Sequence, residues 1–345
     1  DRSGITGTTA TFSGNVSVGG VLTYEDVTNV DSVGIVTART GLKVLAGGAN
    51  VVGVSIFSDD VKVGSGAADS LTTGTNNVAV GKDALTANTS GGDNTAVGDR
   101  CLDANTTASA NTAMGSGAMG ATTTGNQNTA VGSGALASNT HGSENTGLGY
   151  NALDANTSGG SNVAVGKQAL TANTTASYNV AIGVDAMAAN TTGNQNVVVG
   201  SLALDANTTG IYNVAIGHLA LSGNTTAGKN VAVGHAALRF NSTGANNVAL
   251  GTNALTANTT ANQNVAVGYD ALASTTTGAQ NTAVGGYALD TNTTGTQNVA
   301  VGYAALDANT TADNNTGVGY HALKANTTGE NNVSMGSQSL DANTT

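Results

Sequence analysis

Acidic and aromatic side chains recur in this sequence at a fixed interval. Asp154, Asp205, Asp290, Asp307 and Asp341 are separated by multiples of 17 residues, and Asp290 and Asp307 by one such step. Two carboxylates held roughly 5–10 Å apart can cleave a glycosidic bond, one as acid and the other as base or nucleophile. The same slot also holds Thr86, Ala137, Arg239 and Lys324. It therefore reads as a solvated edge, no catalytic residue is assigned, and the chain is not expected to be an enzyme. Tyr269, Tyr303 and Tyr320 share another slot, and Tyr287 falls one residue later in the repeat between. Together they form a candidate aromatic stripe on which a glycan could stack. His218 and His235 are also one step apart. They could share an ion, but no third or fourth ligand has a suitable register. No metal or cofactor is expected. Cys101 stands alone where the other repeats carry a small residue, so it reads as a buried small side chain rather than a nucleophile.

The interval belongs to a repeat that must position all of these groups. An Asn opens each unit from Asn77 to Asn332, sixteen times in steps of 17 with no insertion. Numbered from that Asn, position 2 is Val or Thr, position 3 is small apart from Val198, and position 4 is Val, Ile, Leu or Met. Position 5 is always Gly, position 8 is nearly always Ala, position 9 is Leu or Met, and positions 12 and 13 are nearly always Asn-Thr. Apolar residues at 2 and 4 alternate as in a strand. Asn-Thr-Thr-Gly at 12 to 15 reads as a turn. Positions 6 to 11 are too few for a stable helix, so a second short strand or an irregular edge is expected there.

A gapless 17-residue unit predicts one coil of a parallel β-solenoid. Identical positions then stack about 4.8 Å apart as ladders of Asn77 and Asn88, Gly81, Leu85 and their equivalents Asn298, Asn309, Gly302 and Leu306. The Gly column answers either to a tight turn or to the close approach of another backbone. The expected core side chains are those at positions 2, 4 and 9. That is a thin core, and the small residues at 3, 8 and 11 are expected to form flat faces that meet copies of the same chain.

The recurring Asn-Val-Ala-Val-Gly, as at 298–302, resembles the head repeats of the YadA-like trimeric autotransporter adhesins. The likeness covers 77–345. It implies a left-handed parallel β-roll in a homotrimer, although this coil is longer than the usual one of that family. Residues 1–76 differ and form a separate N-terminal β-rich segment. There, Thr11 to Gly20 ("TFSGNVSVGG") and Ile56 to Ser65 ("IFSDDVKVGS") share a Phe-Ser-x-x-Val-x-Val-Gly pattern. This segment is similar to fibre proteins of marine cyanobacterial phages, which implies interwoven trimeric β-structure. Alternation at Val16-Ser17-Val18 and at Val61-Lys62-Val63 agrees with strands.

The fold class expected is thus all-β: a solenoid of sixteen 17-residue coils, the last truncated, in a homotrimeric fibre. The chain opens on Asp1 and its last unit stops at Thr345, which suggests a piece of a longer protein. A net charge of −11 disfavours nucleic acid as a partner, and no apolar run reaches membrane-spanning length. The absence of Pro and Trp and the presence of only three Phe set the chain apart from a conventional globular domain. The function expected is that of a stiff virion fibre, in a tail or neck appendage on the particle surface. Its partners would be itself and other virion proteins. The alternative is an adhesin or receptor-binding protein that grips a cell-surface glycan through Tyr269, Tyr287, Tyr303 and Tyr320.

Overall fold

A computed structural model describes residues 59–345 of the chain. Seventeen three-residue strands recur every 17 residues, from β1 (Val61–Val63) and β2 (Val78–Val80) to β17 (Val333–Met335). Each pairs parallel with its sequence neighbours, in register, Val61 against Val78 and Val214 against Val231. All seventeen form one continuous sheet. The architecture is an all-β parallel solenoid. The stack includes a coil ahead of Asn77: β1 pairs with β2, and the Asn77 N–H donates to Asp60 Oδ1 at 2.8 Å. Asp60 takes the Asn slot and Ala68 the Leu slot, which kept this coil from matching the repeat pattern. Residues 16–18 and the rest of the segment before residue 59 lie outside the described residues.

Each strand ends at the position 5 glycine. Gly251 has φ +140°, and a Cβ there would lie 2.7 Å from the Gly268 carbonyl carbon and closer still to its oxygen. Both explanations of the Gly column therefore hold at once. A Cβ would be strained by the backbone angle and would strike the next coil.

No second strand forms in any coil among the described residues. Positions 6 to 11 are the irregular edge, built on left-handed residues at positions 7 and 9, as at Asp83 (φ 56°) and Leu85 (φ 53°). An L-residue in this region costs roughly 1–2 kcal/mol. What offsets the cost is visible in the hydrogen bonding. The Asp83 N–H donates back to the Ser65 carbonyl at 2.8 Å, and the Leu85 N–H donates forward to the Cys101 carbonyl at 3.0 Å. The left-handed turns aim peptide groups up and down the stack, so the inter-coil ladder continues where there is no strand. They also carry the Leu85 side chain to full burial.

The core differs from the sequence expectation. Inward positions are 1, 3, 8, 9, 12 and 15, as in Asn94, Ala96, Cys101, Leu102, Asn105 and Ala108. Positions 2 and 4 point outward: Val197 is 41% exposed and Leu250 47%. Ala79 and Ala84, at the small positions 3 and 8, are fully buried inside their own coil, so they offer no face to another chain. The physical reason is space. Two Asn columns and a Leu column already occupy the narrow interior. Position 3 therefore adds a small residue in every coil from β2 to β17 but that of Val198, itself fully buried, and the larger side chains of positions 2 and 4 lie outside.

Candidate functional site

The structural columns hold the edge on which any site must sit. Asn94 shows the pattern of position 1. Its N–H donates to Asn77 Oδ1 at 3.1 Å, and its Nδ2 to the same oxygen at 3.2 Å and to the Ala108 carbonyl at 2.9 Å. At position 12, Asn105 Nδ2 donates to Asn88 Oδ1 and to that same Ala108 carbonyl, both at 3.1 Å. Near the other end, Asn298 and Asn309 both donate to the Ala312 carbonyl, at 2.8 and 3.1 Å. One main-chain carbonyl per coil thus ties the two Asn columns together. Buried amides so fully paired are worth more than isolated ones, because an orphaned partner would cost about 1–3 kcal/mol. Gly302 packs against the Gly319 backbone as Gly81 does against Gly98, and Leu306 is as buried as Leu85.

On this frame the four tyrosines come together. Tyr269 and Tyr287 meet edge to face at 5.4 Å, Tyr287 and Tyr303 likewise at 5.7 Å, and Tyr303 and Tyr320 lie near parallel at 5.9 Å. His321 stacks on Tyr320 at 3.8 Å. Position 6 alternates with position 7 here because Gly286 leaves the slot between Tyr269 and Tyr303 empty of side chain, and Tyr287 fills it. Beside the rings runs the position 10 column of Asp290, Asp307 and Lys324. Tyr287, Tyr303, Tyr320 and His321 line an open hollow of about 430 Å³ with this column, while Tyr269 lies outside its lining. That size falls in the ligand-site range.

Electrostatics single out Asp290. Partial burial, with the negative charges of Asp270 and Asp307 behind it, pushes its carboxyl up to about 6. Burial also raises Asp307, against the opposing pull of Lys324 and His321. Neither carboxylate forms an ion pair; among the described residues the ion pairs are Lys82–Asp83 and Arg100–Asp99, both on the surface. Asp154 and Asp205 share the same slot elsewhere and are raised by burial too.

The other candidates stay apart from this hollow. His218 and His235 stack at 5.5 Å, and among the described residues no group of three or more His, Cys, Asp or Glu is gathered to hold a metal. Cys101 is buried, its Sγ–H donates to the Ala113 carbonyl at 3.1 Å, and burial pushes its thiol up to about 12. His321 was not singled out in the sequence, and Lys324 entered only as a sign that the Asp slot is a solvated edge. Their signal was arithmetic: 321 shares the slot of Tyr287, and 324 that of Asp290 and Asp307. Compared with known proteins, the chain matches no family model and no curated protein.

Proposed function

We propose that this chain is a structural rod, a homotrimeric fibre of a phage particle that positions host-contacting elements away from the surface it springs from. The observation that carries the reading is the uninterrupted in-register stack with an apolar outer sheet face. Position 2 carries Val or Thr and position 4 an apolar Val, Ile, Leu or Met from β2 to β17, with no charge among them. Sixteen strands about 4.8 Å apart make a strip ~77 Å long. At roughly 10 Å wide, it offers ~800 Å², the share one partner brings to a stable interface. Monomers rarely leave such a patch uncovered. Copies of the same chain present an equally long and equally flat surface, so three of them around an axis cover it. The left-handed sense, the interwoven segment before residue 59 and the phage origin come with the resemblances and belong to this proposal.

Sedimentation and light scattering test it. The expected mass is three times the 33.3 kDa chain. Replacing Val197 and Leu250 by Lys puts charge on the outer face and should lower the mass toward one chain. A wild-type monomer, or a trimer indifferent to both lysines, would end the reading. Electron microscopy of particles with labelled chain locates the fibre.

A second reading has its own observation. The tyrosine and aspartate hollow favours a receptor-binding protein that contacts a cell-surface glycan directly. Replacing Tyr269, Tyr287, Tyr303 and Tyr320 by Ser should then abolish adsorption to cells, and unchanged adsorption would remove it.

A further inference from the structure

The hollow pairs an aromatic wall with carboxylates that form no ion pair among the described residues, with His321 and Lys324 on its Asp307 side. Asp290 and Asp307 are half-buried and accept no hydrogen bond on their carboxylate oxygens. The charges around Asp290 are those of Asp270 and Asp307, both negative, while Lys324 and His321 lie toward Asp307. Tyr303 and Tyr320, near parallel and half-exposed, line the same hollow, with Tyr287 edge-on to Tyr303 and His321 stacked on one face of Tyr320. A ligand that fits supplies an apolar surface for the rings and a positive hydrogen-bond donor for Asp290.

We propose that the hollow binds amino sugars: a pyranose oligomer whose free amine is held by Asp290 while its ring lies along Tyr303 and Tyr320. This rests on the receptor-binding reading and adds the chemical class of the ligand. A protonated amine gains charge-assisted hydrogen bonds, about twice as strong as neutral ones, and a further attraction to the tyrosine faces. A neutral sugar leaves the Asp290 charge uncompensated. An anionic one adds repulsion next to Asp270, Asp290 and Asp307, on a chain of net charge −11. A quaternary ammonium ion has no N–H for the carboxylates and suits rings closed around a point, not a trough.

Calorimetric titration of the whole chain at neutral pH and low salt tests the proposal. The probes are the hexamers of glucosamine, N-acetylglucosamine and galacturonic acid. The glucosamine hexamer should bind about tenfold tighter than the acetylated one, the ratio expected from one charge-assisted contact. The galacturonic acid hexamer should not bind. Asp290→Asn with Asp307→Asn should erase the tenfold ratio. Tyr303→Ser with Tyr320→Ser should weaken both remaining ligands. Serine already fills that slot at Ser201 and Ser337, so the coil accepts it, and circular dichroism checks each variant. Equal affinity for amine and acetylated forms overturns the inference, as does a preference that survives the Asn pair. Tyrosine-dependent binding of the neutral hexamer alone would overturn it and leave the receptor-binding reading standing. Binding of no hexamer overturns it too, and cell adsorption then decides the receptor-binding reading separately.

Discussion

At the scale of single residues, the two interruptions of the position 12 ladder are the most informative. Thr122 and Thr275 replace Asn there and are fully buried. Thr122 Oγ1 has no hydrogen-bond partner, and Asn258 Oδ1, which faces the Thr275 coil, has none either. An Asn at 275 would place an Nδ2 where Asn241, Asn258 and their equivalents place theirs, since Asn258 already donates to Asn241 Oδ1 at 2.7 Å. Thr275→Asn should therefore stabilise the rod by about 1 kcal/mol, and Thr122→Asn by a similar amount. Chemical denaturation of each variant measures it; a loss of stability in both would show that the ladder contributes nothing at these coils. The ladders were legible in the sequence because a buried, hydrogen-bonded amide admits few substitutes. The orphaned oxygen was not, because it depends on which way each amide points.

At the scale of the coil, glycines of different slots should behave differently. Gly251 at position 5 meets the next backbone and has φ +140°, whereas a Cβ on Gly286 at position 6 would sit 3.6 Å from the Tyr303 ring, an ordinary contact. Gly251→Ala should cost roughly 3 kcal/mol or more, while Gly286→Ala should be near neutral. Thermal melting of the two variants compares them directly, and equal melting temperatures would contradict the stacking argument. The sequence showed the strand at positions 2 to 4 and a Gly at its end that answered to either a tight turn or a close backbone approach. It did not show the left-handed residues at 7 and 9, because Leu at φ 53° runs against local preference and is held there only by neighbouring coils.

For the whole molecule, the position 10 column sets a pH response. Burial raises Asp103, Asp154, Asp205, Asp290 and Asp307 above the ordinary 3.8. The folded chain then holds these protons more firmly than the unfolded chain does. Their contribution is present in full below about pH 4 and is lost as pH rises through the folded values, near 6 for Asp290. Reduced self-repulsion of a net −11 chain acts in the same direction. Lowering the pH from 7 to 5 should raise the melting temperature by a few degrees, opposite to the usual acid response. A melting temperature that falls over this range would mean that water reaches the column freely.

The sequence by itself determined the period, the parallel register and the residues that stack, because a gapless 17-residue repeat leaves no other arrangement in which equal side chains find equal surroundings. It also marked Tyr269, Tyr303 and Tyr320, with Tyr287 one residue later, as a candidate surface stripe. The tertiary structure decided which side of each strand faces in. Alternation defines two faces and is silent about which one is filled, and the answer came from the volume the Asn and Leu columns leave inside. It also decided that Asp290 and Asp307 share a hollow with three of those rings, since positions 6, 7 and 10 meet only through the left-handed turns between them.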